Sequence, residues 1–254
     1  MAPHDGLQHA GAAPRARASN KLAAGDRVAV LKIFVWIACL APFALVIAKI
    51  AGVISFGANP VEEVLHSMGK TGLNLLWITL AITPLRKLTK QNWLLRLRRL
   101  LGLFAFFYLV LHLLAYAVLD RGLDLSSLFV DVTERPYITL GMLGILLLVP
   151  LAITSTRGWQ RRLGRNWTKL HRLIYVSAIL GVVHFWWQVK ADIREPLLYA
   201  VLLGVLLGYR IVDSQFRAQR RRNAAAATAA AGGGRGKPVT ASAREPVTET
   251  VRNG

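Results

Sequence analysis

Residues 100–119 read LLGLFAFFYLVLHLLAYAVL, an apolar run of helix length broken by one ionisable side chain, His112. A hydrocarbon layer about 30 Å thick takes ~20 helical residues at 1.5 Å each to cross, and this run meets that length. Working outward, comparable runs occupy residues 28–50, 71–85, 136–156, 170–189 and 196–212. The run at 71–85 is short as drawn and is expected to begin earlier, near Val64, with His66 and Lys70 at the interface. Pro84 is expected to mark its exit, because proline disfavours helix in the residue before it. With 54% of 254 residues hydrophobic, the expected fold is an all-α integral membrane protein, a bundle of about six transmembrane helices.

The formal net charge of +19 reads as topology, because the basic residues gather between apolar runs. Arg86, Lys87, Lys90, Arg96, Arg98 and Arg99 separate the second and third runs. Arg157, Arg161, Arg162, Arg165, Lys169 and Arg172 separate the fourth and fifth. Neither connection holds an acid. Glu62, Glu63, Asp120, Asp124, Asp131, Glu134, Asp192 and Glu195 fall in the alternate connections. The basic loops and both termini are therefore expected in the cytoplasm. No aromatic and basic residues interleave as on a nucleic-acid-binding surface, so nucleic acid is not an expected partner.

Residues 1–27 are expected to be a flexible basic segment, 28–215 the transmembrane domain, and 216–254 a disordered cytoplasmic tail rich in Ala and Gly. No internal repeat of the transporter kind stands out. Cys39 is the single cysteine, which excludes an internal disulfide and covalent attachment of haem through CxxCH.

His112 and His184 are the only ionisable side chains well inside a run. Such a group in a bilayer costs several kcal/mol and by default marks a functional site. Measured from Arg99 and Arg172, both lie ~18–20 Å from the cytoplasmic charges, at one level toward the outer side. Either alone could merely hydrogen-bond a neighbouring helix. Two neutral imidazoles facing each other can supply both axial ligands of one non-covalent, b-type haem. His171 sits ~20 Å along the axis before His184 but roughly 140° around it. It is open between a second haem ligand, a quinone-site donor and an interfacial histidine. His66 reads as interfacial. No Asp or Glu lies inside a run, and there is no Walker motif or dinucleotide fingerprint, so proton-coupled transport and nucleotide chemistry are not indicated. A cofactor-free transporter or scaffold is the remaining bland alternative.

The ordered motifs ITPLR (82–86), RRLLGL (98–103), LHLLAY (111–116), RPYITLG (135–141), TSTRGWQRRLG (154–164), WTKLHRLIY (167–175) and VHFWW (183–187) resemble one family. It is the MsrQ (YedZ) family of haem-binding membrane subunits of bacterial protein-methionine-sulfoxide reductase systems, within the ferric-reductase-like transmembrane domains. The similarity covers roughly residues 30–215. The resemblance implies an electron-transfer subunit in the bacterial inner membrane. It would take electrons from quinone through haem b and pass them to a periplasmic molybdenum-cofactor catalytic subunit, forming a heterodimer with it. The chain itself would not be the sulfoxide-reducing catalyst. His112, His171 and His184 match the family's haem positions. FMN is also implied, without a site. The shared domain leaves a ferric or other metal-ion reductase as the alternative. The four acids between Asp120 and Arg135 make that outer loop the expected docking surface for the partner.

Overall fold

The computed structural model describes residues 12–189 and 192–232, and all regular structure among them is helical. Nine α-helices follow in order: α1 (Ala12–Ile50), α2 (Pro60–Thr89), α3 (Leu95–Ala115), α4 (Leu125–Glu134), α5 (Pro136–Ile153), α6 (Arg157–Leu163), α7 (Arg165–Leu170), α8 (Leu173–Gln188) and α9 (Arg194–Gly232). The chain forms two compact units, Met1–Tyr209 and Arg210–Gly254. The first holds the helical bundle. The second, as far as it is described, is the C-terminal stretch of α9, where Arg217 pairs with Asp213 one turn earlier.

Five stretches among the described residues are long and apolar enough to cross a bilayer: Ala29–Ile50, Asn92–Asp120, Pro136–Ile153, Arg165–Gln188 and Arg194–Thr228. Their large side chains point outward, with Phe34 and Ile37 on α1, Leu146 on α5 and Val205 on α9 all exposed. A water-facing surface would not be built this way, whereas lipid tails are as apolar as these side chains. The sixth expected span is α2, which is 30 residues long but does not qualify by composition. It packs along α3 and buries Met68, Leu76 and Leu80. An enclosed helix presents little surface to lipid and so needs less apolar sequence.

The termini of α2 follow ordinary capping chemistry. Asn59 caps its start by accepting from the Glu62 N–H at 3.3 Å, Pro60 occupies the first turn, and Glu62 and Glu63 face the positive end of the helix dipole. Contrary to the expectation for Pro84, the helix continues past it to Thr89 and ends at Lys90 in the left-handed region. Membrane helices accommodate an internal proline when their surroundings supply the missing backbone partner.

Helix extends into the described parts of both flanking segments. α1 begins at Ala12, inside the segment expected to be flexible, and α9 runs on to Gly232 through the part of the tail beginning at residue 216. Ala and Arg dominate both stretches, and these residues have high helix propensity without any tertiary contact. Gly232 is the last described residue of the second run. Residues 1–11 and 233–254 of those two segments lie outside the described residues.

α2 and α3 form one antiparallel hairpin and α5 and α8 another, and α3 also packs on α5. Leu80, Ala105, Tyr108 and Ala178 are completely buried among these helices. α6 and α7 carry the basic connection between the hairpin arms. Gly164, at φ 49° and ψ −118°, joins them in a conformation that a side chain would oppose.

Candidate haem-type metal centre

Each histidine of the deep pair is held by the partner helix of its own hairpin. His112, on α3, places Nδ1 2.9 Å from the Leu65 carbonyl of α2. His184, on α8, places Nδ1 2.7 Å from the Tyr137 carbonyl of α5. A carbonyl has no proton to give, so in both rings Nδ1 must be the donor. Nε2 is then the unprotonated nitrogen of each ring, the form in which histidine binds a metal.

The two rings stand 6.2 Å apart, centre to centre, with their planes at 77°. A metal–imidazole bond of roughly 2.0–2.1 Å, added to ~1.1 Å from nitrogen to ring centre, sets two imidazoles on opposite sides of one metal about 6.3 Å apart. The observed spacing therefore suits one ion between the rings. Both line a cavity of about 400 Å3 whose walls include Leu73, Leu76, Leu109, Ile138 and Ile145, a size and character usual for cofactor sites. The His112–His184 pair could hold a metal-bearing planar cofactor with its faces against apolar side chains.

The mouth of the cavity is charged. His66, Glu62 and Lys70 line it from α2, and Tyr116, Arg121 and Arg135 line the other side. Lys70 reaches Glu195 at 2.5 Å, and Lys49 pairs with Glu63 nearby. The hydrogen bond from the Lys49 ammonium, with a second from the Gly57 N–H, holds the Glu63 carboxylate below its ordinary range. His66 lies 4.0 Å from Glu62 and lines the same cavity as the deep pair.

Asp131 corrects the reading of the outer loop. It is buried, accepts the Tyr116 hydroxyl, and lies 2.7 Å from Arg121 Nε and 3.1 Å from Arg135 Nε. Asp120 lies 3.3 Å from the same Arg121 nitrogen, and Asp124 caps α4 through the Ser126 N–H. Three of the four acids are thus engaged within the segment, and the surface it exposes carries Leu123, Leu125 and Phe129. The helical turn before it, Tyr116–Asp120, is a π-helix, a wider turn found often beside functional sites.

His171 is not part of this cavity. It ends α7, with Nδ1 3.1 Å from the Trp167 carbonyl and its ring stacked on Trp167 at 4.0 Å. Trp167 is itself fixed by donating to the Thr154 carbonyl at 2.9 Å. Of the three histidines singled out from the sequence, the structure brings two together and leaves the third at a separate place. Sequence reasoning missed Leu65, Gly69, Tyr137 and Gly141, whose backbone and missing side chains seat the rings. A signal was present, since GKTG (69–72) and GMLG (141–144) repeat the G-x-x-G spacing on the two hairpins.

An all-helical membrane bundle with a deep histidine pair between two hairpins defines the class of ferric-reductase-like transmembrane components, and residues 68–182 match that family's model, described as "Ferric reductase like transmembrane component". Curated relatives narrow the class. The chain is 53% identical over 189 residues to the protein-methionine-sulfoxide reductase heme-binding subunit MsrQ of Xanthomonas axonopodis pv. citri, covering 72% of this chain and 87% of that one. It is 58% identical over 157 residues to the protein of the same name from Xanthomonas campestris pv. campestris, covering 62% and 72%. For the Ralstonia nicotianae protein of that name the identity is 48% over 184 residues, covering 71% and 84%. The chain belongs to the MsrQ family.

Proposed function

We propose that this chain is the membrane electron-transfer subunit of a bacterial protein-methionine-sulfoxide reductase system, with His112 and His184 holding one b-type haem iron. The observation that carries the reading is the deep imidazole pair, 6.2 Å apart, each ring anchored through Nδ1 on a backbone carbonyl. The printed name of the relatives, a heme-binding subunit, supports the same cofactor. Bound there, haem supplies reversible one-electron exchange, while the protein sets ligation, orientation and access. The carbonyls of Leu65 and Tyr137 orient the rings. Apolar walls exclude water, and Arg121 and Arg135, fixed by Asp131, place positive charge at the mouth.

The finer reading follows the family resemblance. Electrons enter from quinone and leave to a separate periplasmic molybdenum-cofactor subunit, with which the chain forms a heterodimer at the inner membrane. The basic loops and both termini face the cytoplasm, so the cavity mouth faces the periplasm. Sulfoxide reduction belongs to that partner, because the one thiol of this chain, Cys39, is buried against α3 where no protein substrate reaches it. His171, on the opposite side, is proposed to serve electron entry. FMN is kept as a family-implied cofactor with no residues assigned.

A reduced-minus-oxidised visible spectrum of the purified chain tests the core of the proposal. Six-coordinate b-type haem is the expected result. A purified chain that takes up no haem would overturn it in favour of a scaffold, and rapid reduction of ferric chelates without a partner would favour a metal-ion reductase.

A further inference from the structure

The α2–α3 and α5–α8 hairpins contain the same device twice. In each, a histidine donates from Nδ1 to a carbonyl 47 residues earlier in the chain. In each, a glycine stands four residues after that carbonyl: Gly69 after Leu65, and Gly141 after Tyr137. A second glycine follows three residues later, Gly72 in one hairpin and Gly144 in the other. Every one of these positions recurs 72 residues further on, 65 with 137, 69 with 141, 72 with 144 and 112 with 184. The two hairpins thus share this spacing, although no internal repeat of the transporter kind stands out in the sequence.

The spacing has a mechanical reason. In an α-helix the carbonyl of residue i accepts from the N–H of residue i+4, so Leu65 is paired with Gly69, and Tyr137 with Gly141. A carbonyl has a second lone pair, but a ring that reaches it from outside must lie where the side chain of residue i+4 would project. A Cβ on Gly69 would stand 3.0 Å from His112 Nδ1 and 3.1 Å from its Cε1. One on Gly141 would stand 2.7 Å from His184 Nδ1 and 3.0 Å from its Cε1. The second distance is closer than real Cβ contacts, and the first is at the margin.

We infer that Gly69 and Gly141 are positioning residues for the metal centre, their absent side chains letting each imidazole dock on its carbonyl so that Nε2 is the nitrogen presented to the iron. The inference rests on the proposed haem ligation for its iron, but not for its tautomers. Docking on a carbonyl also makes the bound imidazole a stronger electron donor, which favours the ferric over the ferrous state. Each glycine thus lowers the potential of the centre, through a residue that never touches the cofactor.

The test uses the full-length chain with Gly69→Ala, Gly141→Ala and, as a control, Gly204→Ala, where a Cβ meets nothing within 4 Å. Electron paramagnetic resonance of the oxidised haem protein and its midpoint potential are read for each. Gly204→Ala is expected to match the parent. Gly69→Ala and Gly141→Ala are expected to shift the low-spin signals and move the potential upward, Gly141→Ala by more because its contact is shorter. Glycine variants that keep the parent signals and potential would overturn the inference. NMR of histidine-labelled, haem-free full-length chain keeps the question open to refutation if a variant fails to fold or the parent binds no haem. His112 and His184 must then be Nδ1–H tautomers in the parent, and finding either as Nε2–H would equally sink the inference.

Discussion

The hydroxyl of Tyr108 is inserted into the backbone ladder of α1, donating to the Cys39 carbonyl at 2.5 Å and accepting from the Phe43 N–H at 3.1 Å. Those two groups would otherwise bond each other as residues i and i+4. Pro42 stands in the same turn, and a side chain entering the ladder beside a proline is a recognised cause of helix bending. Tyr108 is completely buried, one turn before His112 on α3, so the same helix that carries a deep histidine also fixes α1.

Tyr108→Phe is therefore expected to destabilise the bundle by about 1–2 kcal/mol, the usual worth of a buried hydrogen-bonding group whose partners can partly re-pair. Thermal unfolding in detergent, followed by tryptophan fluorescence, should show a lower midpoint. His112 keeps its own carbonyl, so the visible spectrum of the haem-loaded protein should be unchanged.

The deep pair and His171 should separate cleanly. If His112 and His184 hold the haem as proposed, His112→Ala and His184→Ala would each remove a ligand and are expected to shift or abolish the haem spectrum while leaving the chain inserted, since insertion depends on apolar length. His171→Ala, stacked on Trp167 away from the cavity, should leave that spectrum intact and slow reduction by a quinol. Unaltered six-coordinate haem in both deep variants would refute the assignment.

Acid should loosen α4 first at its start. The Ser127 hydroxyl, with the Ser126 N–H, holds the Asp124 carboxylate below its ordinary value, at distances of 2.5 Å and 3.0 Å. A carboxyl depressed in the folded state adds stability above its unfolded pKa, and that stability is lost as pH falls through the folded one. Hydrogen exchange across 125–130 should accelerate below the ordinary carboxylate range, and Asp124→Ala should show the faster exchange already at neutral pH.

Topology can be read with reporters. In the proposed orientation, with the two wholly basic connections inside, a fusion after Val212 is expected in the cytoplasm. A reporter active there only when exported would reverse the orientation and move the cavity mouth to the other side of the membrane.

The sequence by itself determined the solvent of this protein, its class of fold and the two deep histidines. Apolar run length reports the thickness of the surrounding medium, charge clusters report where the runs end, and an ionisable group far from any cluster is conspicuous without knowing its neighbours. Only the tertiary structure decided which groups meet. His112 finds Leu65, His184 finds Tyr137, Asp131 turns inward onto two arginines, and His171 turns onto Trp167. Composition is blind to these pairings because they depend on how far each helix is rotated about its axis and how it is shifted along its neighbour. That register is set by close packing between residues far apart in the chain, and at Gly69 and Gly141 it is set by atoms the sequence leaves out.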